Sequence, residues 1–412
     1  MIPIKYILII GDGMADNPVP ALNGKTPLEA AEKPHIDALC ERSTLGSVRT
    51  VPPGLPPGSD TAILSIFGCD PNLYFTGRSP LEAAGCGVKV RSGDVSYRCN
   101  MVALEDGAEI PFGEKKILSH SAGSIDGQDS IDVITWLCGE PSFKSAMEAL
   151  RLRIEPTPSF RHIAVQTEGD AEGMRATPPH DILGQAIGKY ALDGNDNARA
   201  LWKLMELANK LLENHRYNQK RRAAGLLPAN GIWFWAEGTA VALPDFYKRY
   251  GKRGSVISAV PLVHGIGALC GLKPVTVEGA TGETETNYAG KVQAAVDCLK
   301  NGDDFVCIHV EAPDEATHNG NLEEKLLSIG YLDSRVLVPL EEKLKGIPHR
   351  ILLLSDHKTL MSTRTHDGDP VPFLLYDSGK PAVSGSPYTE KGGENGPYIE
   401  AGTELMDMLF QP

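Results

Sequence analysis

The chain has 412 residues, of which 42% are hydrophobic and 23% are charged, and its formal net charge is −13. The length exceeds the roughly 100–200 residues of a typical single domain, and the composition is that of a globular protein rather than a disordered one. The acidic balance argues against a nucleic-acid partner, and no apolar run approaches the roughly 20 residues that span a membrane.

The beginning of the chain predicts a first strand. Residues 2–13 read IPIKYILIIGDG, an apolar run too short for a signal peptide and without a small-residue cleavage site. The eight cysteines are scattered without CxxC spacing, which favours buried reduced thiols over a disulfide framework or a zinc ribbon. We therefore expect a cytoplasmic protein without a membrane partner.

Short aliphatic runs that end in Gly, Asp, Ser or His predict buried strands. In chain order these are residues 5–13, 161–169, 231–238, 255–260, 304–314 and 350–357. The patterns between them predict helices over residues 28–43, 198–215, 288–302 and 321–346. Alternation of strand and helix favours an α/β fold with a mostly parallel sheet flanked by helices.

The middle of the chain has a different character. From about residue 92 to residue 250 the apolar runs are shorter and more polar, and the stretches 120–130 and 177–181 are rich in turn residues. Because the strongest predicted strands lie on either side, we expect a core domain of residues 1–91 and 251–412. Residues 92–250 would form an inserted smaller α/β (α+β) domain.

Three strong predicted strands stop at or just before an acidic residue. These residues are Asp12, Asp314 and the pair Asp356–His357. In an open parallel sheet, ligands bind beyond the carboxyl ends of the strands, so we expect these side chains to meet in one crevice. His318 follows Asp314 by four residues, and His366 follows His357 by nine.

This combination of residues favours a metal site. Taken singly, each residue could equally be a turn residue, a helix start or a surface histidine, but their conjunction at three strand ends favours ligation. An Asp and a His four residues apart can hold one ion from one face of a helical turn. Carboxylate and imidazole together suit Mn²⁺ or Zn²⁺ better than Ca²⁺, and two such ions stabilise attacking and leaving oxygens in phosphoryl transfer.

Ser59 follows the stiff stretch GLPPG and precedes an apolar run. Such a serine is most often a helix N-cap, although Ala62 stands where a capping box would have Glu or Gln. A serine at a helix N-terminus also lies where backbone N–H groups and the helix dipole favour a phosphate. Beside a divalent ion its hydroxyl would act as a nucleophile, so the two roles can coexist.

Other catalytic motifs do not occur. The sequence has no G-x-G-x-x-G, no G-x-x-x-x-G-K-[ST] and no G-x-S-x-G. Dinucleotide binding, a P-loop and an α/β-hydrolase site therefore lose support.

Five motifs resemble a known family. They are IIGDGMAD (9–16), PPGSDTAILSIFGCDP (56–71), TGRSPLEAAGCGV (76–88), HVEAPDEATH (309–318) and SDHKTL with THDGDPVPF (355–373). In this order they resemble the cofactor-independent phosphoglycerate mutases of the archaeal type, within the alkaline phosphatase superfamily. The resemblance covers most of the chain and implies an alkaline-phosphatase-like core.

The resemblance also implies a site and a reaction. Its metal ligands would be Asp314, His318 and His366 for one ion, and Asp12, Asp356, His357 and Ser59 for the other. The implied cofactors are two divalent ions, Mn²⁺ first, with Zn²⁺, Co²⁺ or Mg²⁺ as substitutes. Ser59 would carry the phosphoryl group between the two hydroxyls of glycerate, interconverting 3-phosphoglycerate and 2-phosphoglycerate in glycolysis.

A small phosphorylated anionic substrate needs cationic side chains. The candidates are Arg98, Arg161, Arg175 and Lys252, with His162 or His180 as a proton shuttle and Arg78 as a further possibility. Each arginine could equally be a surface solubilising residue. The inserted domain would close over the substrate and exclude water.

Two departures from the archaeal pattern keep the substrate open. Ile63 and His264 stand where archaeal mutases commonly carry a His and a Lys. Several motifs are closer to a bacterial branch of the family proposed as homoserine kinases, which would act in threonine biosynthesis. The same residues are also compatible with a metallophosphatase and with a non-catalytic metal-binding scaffold.

Overall fold

The computed structural model describes residues 3–380 and 382–411. They form two compact units. The first unit comprises the residues up to Phe75 and those from Ala242 onward, and the second unit is Thr76–Val241. The predicted boundaries, 91/92 and 250/251, both lie too late in the chain. The helix Arg78–Gly85 packs on the strands Val95–Leu104 and Gly231–Thr239 and so belongs to the second unit.

Strands are numbered along the described part of the chain. They are β1 (Lys5–Gly11), β2 (Thr44–Val48), β3 (Val95–Leu104), β4 (Ile117–Ser119), β5 (Leu152–Glu155), β6 (Arg161–Gln166), β7 (Gly231–Thr239), β8 (Gly254–Ile257), β9 (Lys273–Val275), β10 (Phe305–Val310), β11 (His349–Leu354), β12 (Lys358–Leu360), β13 (Thr365–Asp367), β14 (Val371–Asp377) and β15 (Tyr398–Ile399).

Helices are numbered in the same way. They are α1 (Pro27–Ala30), α2 (Pro34–Glu41), α3 (Ser59–Ile66), α4 (Pro71–Tyr74), α5 (Arg78–Gly85), α6 (Gly127–Gly139), α7 (Pro141–Ala149), α8 (Asp196–Leu212), α9 (Arg216–Ala223), α10 (Phe246–Tyr250), α11 (Pro261–Leu269), α12 (Tyr288–Lys300), α13 (Ala312–His318), α14 (Leu322–Tyr331), α15 (Val338–Lys343), α16 (Glu390–Glu394) and α17 (Leu405–Phe410). Short 3₁₀ turns occur at Pro20–Leu22, Phe112–Glu114, Pro179–Ile182, Ile187–Tyr190 and Gly402–Glu404.

The first unit is built on a mostly parallel sheet. Within the described residues its strand order is β15-β2-β14-β11-β1-β10-β8-β9, and β14 alone runs against its neighbours. The central strands β1 and β10 are buried, as expected of aliphatic runs covered by helices on both faces. The predicted α/β class with a mostly parallel sheet is therefore confirmed.

The second unit contains an antiparallel sheet. Its strands run in the order β4-β3-β6-β5, and β7 pairs with β3. The predicted strands over residues 161–169 and 231–238 thus belong to this sheet rather than to the parallel one. All ten residues of β3 are buried, yet its sequence VSYRCNMVAL mixes polar and apolar residues and gave no strand signal.

Two predicted helices are interrupted at prolines. The helix expected over residues 28–43 splits into α1 and α2, which begins at Pro34. The helix expected over residues 321–346 passes through a π-helical segment, Leu332–Leu337, just before Pro339. Proline lacks the N–H that an α-helix needs, so the chain changes its hydrogen-bond pattern there.

No helix in residues 3–380 or 382–411 has the length and apolar character that crossing a membrane requires. The cysteines are free thiols, five of them buried: Cys40, Cys69, Cys99, Cys270 and Cys307.

Candidate active site

The predicted metal ligands lie together beyond the carboxyl ends of three parallel strands. β1 leads into Asp12, β10 leads into α13 with Asp314 and His318, and β11 leads into Asp356 and His357. His366 joins them from β13, where it pairs with Thr359 of β12. The structure therefore brings together side chains that are more than 300 residues apart in the chain.

One group consists of Asp314, His318 and His366, whose candidate ligand atoms lie within 4.8 Å of one another. His318 Nε2 is 3.1 Å from Asp314 Oδ2 and 3.0 Å from His366 Nε2. The hydrogen bond to Asp314 raises the pKa of His318 to about 9. Burial favours a neutral Asp314, but the hydrogen bonds from the two histidines outweigh it and hold the pKa of this carboxyl well below its usual value.

A second group consists of Asp12, Asp356 and His357, again with candidate ligand atoms within 4.8 Å. His357 Nε2 is 3.3 Å from Asp356 Oδ2 and 3.6 Å from Asp12 Oδ1. Burial, followed by the nearby charge of Asp356, raises the pKa of Asp12 well above its usual value. Two buried carboxyl groups this close together are therefore costly to ionise unless a cation lies beside them.

Ser59 faces the second group. Its Oγ is 3.2 Å from His357 Nε2 and donates to Asp12 Oδ2 at 3.4 Å. The N-cap interpretation is wrong, because Ser59 is the first residue of α3 and the cap position is Gly58, without a side-chain hydrogen bond. The hydroxyl is thus turned toward Asp12 and His357 rather than used to satisfy the helix.

The donor set of both groups fits divalent cations. Asp12 Oδ1 and Asp356 Oδ2 are buried acceptors without a hydrogen-bond partner among the described residues. Buried carboxylate oxygens carry a free-energy cost that a cation removes. His318 Nδ1 donates to the carbonyl of Arg364 at 2.9 Å, so Nε2 is the ring nitrogen that would bind a cation after losing its proton.

His309 is a neighbour of the site that the sequence did not indicate as functional. Its Nε2 donates to Asp12 Oδ2 at 2.9 Å, and its Nδ1 is 3.2 Å from the hydroxyl of Ser258. Burial lowers the pKa of His309 to about 3, so the ring is neutral. The available signal was one polar residue inside the apolar run FVCIHV. That run predicted a buried strand, and the histidine was not singled out within it.

Thr359 and Gly13 are two further residues that the sequence did not single out. Thr359 Oγ1 donates to Asp314 Oδ1 at 2.6 Å and is 3.2 Å from His357 Nδ1. Gly13 has φ +60°, and a Cβ there would lie 2.4 Å from Thr359 Oγ1 and 2.7 Å from Asp314 Oδ1. A side chain at position 13 is therefore excluded by both conformation and space.

Lys252 does not belong to this edge of the sheet. It precedes β8, and its Nζ lies 4.8 Å from the ring centroid of Tyr6, near the start of β1. That is the amino end of the parallel strands, whereas the candidate ligands follow the carboxyl ends. The structure thus contradicts the prediction that Lys252 binds substrate at the metal site.

In the second unit, Arg98 is buried and fully engaged. Its Nε donates to Glu82 Oε2 at 2.6 Å, its second nitrogen donates to Glu82 Oε1, and its guanidinium lies 4.6 Å from the ring centroid of Trp235. Burial lowers the pKa of Arg98 to about 10. Burial also disfavours a charged Glu82, but the charges of Arg98 and Arg78 prevail and lower its pKa to about 2.

Arg161 is exposed at the start of β6 and lies beside an aromatic cluster. Its guanidinium lies 4.9 Å from the ring centroid of Phe160, which is 5.7 Å from that of His120. His120 is 6.0 Å from His180. Burial first, and then nearby positive charge, lowers the pKa of both histidines.

His162 and Arg175 do not fit the substrate-binding role predicted for them. His162 is buried, burial lowers its pKa to about 4, and its Nδ1 accepts from the backbone N–H of Thr157 at 3.1 Å. Arg175 is exposed and paired with Asp193 at 2.8 Å. The first is a buried structural residue of β6, and the second pairs two segments at the surface of the unit.

Comparison with known proteins agrees with these observations. Residues 40–218 match the family model described as 2,3-bisphosphoglycerate-independent phosphoglycerate mutase. The chain is 43% identical to a probable enzyme of that name from Geobacter sulfurreducens, covering 99% of this chain and 100% of the relative. It is 42% identical to the enzyme of that name from Methanosarcina mazei, with the same coverage.

A solved structure extends the similarity to the fold. The cofactor-independent phosphoglycerate mutase from Thermoplasma acidophilum superimposes with a TM-score of 0.60 at 25% identity, covering 99% of both chains.

Fold and site together define an α/β protein that presents a serine beside two groups of potential metal ligands. The chain belongs to the 2,3-bisphosphoglycerate-independent phosphoglycerate mutase family. The resemblance drawn from the five motifs is thereby confirmed, and the homoserine kinase alternative finds no support in the relatives.

Proposed function

We propose that this protein interconverts 3-phosphoglycerate and 2-phosphoglycerate without 2,3-bisphosphoglycerate, through phosphorylation of Ser59. The observation that carries the proposal is the position of Ser59 Oγ, 3.2 Å from His357 Nε2 and 3.4 Å from Asp12 Oδ2. Family membership and the names of the full-length relatives support the reaction. The reaction class is an isomerisation by phosphoryl transfer.

Two divalent ions, most suitably Mn²⁺, would occupy the two ligand groups. Asp314, His318 and His366 would hold one, while Asp12, Asp356 and His357, together with Ser59, would hold the other. When bound, such ions neutralise charge on the phosphoryl oxygens and stabilise the attacking and leaving oxygens. Mixed carboxylate and imidazole donors suit Mn²⁺, Zn²⁺ or Co²⁺, with Mg²⁺ a harder match.

The chain's own residues perform the remaining work. In the first half of the reaction, the bond between Ser59 Oγ and phosphorus forms while the ester bond to one glycerate oxygen breaks. The proton lost by Ser59 is balanced by the one gained at the released hydroxyl. In the second half, the other glycerate hydroxyl attacks phosphorus, and Ser59 recovers its proton. The eight-residue helix α3 presents the serine at its N-terminus, where the helix dipole favours the phosphoryl charge.

The second unit would supply cationic groups for the carboxylate or phosphate of the substrate. Arg161 is the candidate, because it is exposed and supplies a positive charge beside the rings of Phe160, His120 and His180. Arg98 would support this surface through Trp235 rather than bind the ligand itself, because Glu82 already occupies its guanidinium. Closure of this unit over the substrate stays a prediction, and we place the enzyme in the cytoplasm.

A coupled assay tests the proposal. The purified chain with Mn²⁺ and 3-phosphoglycerate, without ATP or 2,3-bisphosphoglycerate, should feed enolase continuously. Ser59→Ala should lose at least about a thousandfold in kcat, because the nucleophile is gone. Ser65→Ala is the matched control, since Ser65 is buried in the same helix. Unchanged turnover in Ser59→Ala would refute the nucleophile.

A further inference from the structure

Thr359 occupies a position between the two ligand groups. It is fully buried in β12, and its single hydroxyl contacts Asp314 of one group and His357 of the other. The distances are 2.6 Å to Asp314 Oδ1 and 3.2 Å to His357 Nδ1. One side chain therefore touches both groups without belonging to either.

The direction of these hydrogen bonds follows from the available protons. A carboxylate oxygen of Asp314 can only accept, so the Thr359 hydroxyl donates its one proton there. The hydroxyl must then accept from His357 Nδ1–H, which also faces the carbonyl of Lys358 at 3.3 Å. With its proton on Nδ1, the ring of His357 directs its Nε2 lone pair at Ser59, Asp12 and Asp356.

The surroundings hold Thr359 firmly in place. Its backbone N–H donates to Ala15 at 3.1 Å, and its carbonyl accepts from Lys325 Nζ at 2.6 Å. Lys325 is itself buried and paired with Asp16 at 2.9 Å. These contacts fix the backbone of Thr359, and the hydrogen bonds to Asp314 and His357 then fix its hydroxyl. A fixed hydroxyl can transmit a constraint between two groups, whereas a mobile one cannot.

We propose that Thr359 is a positioning residue that couples the two metal sites, fixing the tautomer of His357 and the orientation of Asp314 through one hydroxyl. This inference rests on the proposed two-metal function. Metal-bound histidines depend on the hydrogen bond at their other ring nitrogen, and loss of that partner typically weakens metal binding about 10–100-fold. Because the hydroxyl serves both groups, its loss weakens both sites.

Calorimetric titration of the metal-free full-length chain with Mn²⁺ tests this role. Wild type should bind two ions, and Thr359→Val should lower the affinity for each ion by about 10–100-fold. Thr359→Ser, which keeps the hydroxyl, should bind like wild type. Thr359→Ala provides the same comparison if the valine variant does not fold.

The matched control is Thr317→Val. Thr317 is buried in α13, next to His318, but its hydroxyl donates only to the carbonyl of Pro313 at 2.7 Å. It should keep both Mn²⁺ affinities within about twofold, even if its melting temperature falls. Equal losses in Thr317→Val and Thr359→Val would overturn the inference, because a general packing defect would then explain both.

Coupling itself is measured by removing one ligand of the first group. In an otherwise wild-type chain, His318→Ala should weaken the binding of the Mn²⁺ ion that Asp12, Asp356 and His357 hold. In a Thr359→Val background, His318→Ala should weaken that binding no further. If wild type binds two ions and Thr359→Val binds them equally well, the inference fails and the proposed function stands. If wild type binds no Mn²⁺, both fail.

Discussion

The individual residues of the site differ in how visible they were in the sequence. Asp12, Asp356 and His357 could be predicted because they end apolar runs, where a polar residue needs an explanation. His309 could not, because it lies inside such a run and acts only through its 2.9 Å hydrogen bond to Asp12. Nothing in the local pattern reveals a partner that is 297 residues away.

His309 should matter for metal affinity through Asp12. His309→Leu removes the donor to Asp12 Oδ2 and leaves that oxygen free to turn, so the affinity of the Asp12 group for Mn²⁺ should fall about 10-fold or more. Titration calorimetry measures the change.

His349→Leu is the control for this prediction. His349 is also a buried histidine, but it lies at the amino end of β11, where its Nδ1 contacts only the carbonyl of Ile347 at 2.8 Å. Mn²⁺ affinity in this control should remain that of wild type. If His309→Leu binds Mn²⁺ as tightly as the control does, His309 has no role in orienting Asp12.

At the scale of elements, the sequence predicted strands better than the connections between them. Aliphatic runs identified β1, β10 and β11, and their carboxyl ends indicated the site. The hairpin β12–β13, which carries Thr359 and His366, was not predicted, because each strand has only three residues and no apolar alternation. Its position depends on contacts with the turn after β1, which no local pattern encodes.

The turn after β1 should tolerate no side chain at Gly13. Gly13→Ala would place a Cβ 2.4 Å from Thr359 Oγ1 and 2.7 Å from Asp314 Oδ1. The variant should therefore lose Mn²⁺ affinity and enolase-coupled activity by at least about 10-fold. Both are measured on the purified variant.

Gly24→Ala separates crowding from backbone conformation. Gly24 also has a positive φ, +79°, but a Cβ there meets nothing within 4 Å. That variant should cost only about 1 kcal/mol of stability and leave metal binding intact. Equal metal binding by Gly13→Ala and Gly24→Ala would show that the space around Gly13 is not needed.

At the scale of the whole molecule, composition and pattern predicted two units and the nesting of one in the other. The predicted boundary at 91/92 is too late in the chain, because α5 comes shortly after the motif at residues 56–71 of the first unit. In the structure, however, α5 packs on β3 and β7 and belongs to the second unit. Glu82 of α5 and Arg98 of β3 form a buried ion pair within the second unit. Only long-range pairing reveals such an assignment.

The ion pair makes the stability of the second unit depend on pH. The pKa of Glu82 is about 2 in the folded chain, below its ordinary value of 4.5. Its contribution is therefore complete above about pH 4.5 and is lost as pH falls toward 2. Glu82→Gln leaves Arg98 buried without its partner and should reduce the unfolding free energy at pH 7 by about 3 kcal/mol or more.

Urea unfolding followed by tryptophan fluorescence reports on this unit. All four tryptophans, at positions 136, 202, 233 and 235, lie within it. The difference between wild type and Glu82→Gln should shrink as pH falls from 4.5 toward 2. Glu148→Gln, which removes an exposed pair with Lys144 at 4.0 Å, should stay within about 0.5 kcal/mol of wild type. A difference that is independent of pH would contradict the assignment of a charged Glu82.

The central claim is that Ser59 carries the phosphoryl group. Acid quenching of the Mn²⁺-loaded enzyme during turnover of 3-phosphoglycerate, followed by peptide mass spectrometry, tests it most directly. We expect one phosphoryl group on the peptide that contains Ser59, and none on that peptide from Ser59→Ala. Sustained turnover by an enzyme whose Ser59 stays unmodified at every quench time, with undiminished turnover in Ser59→Ala, would contradict it.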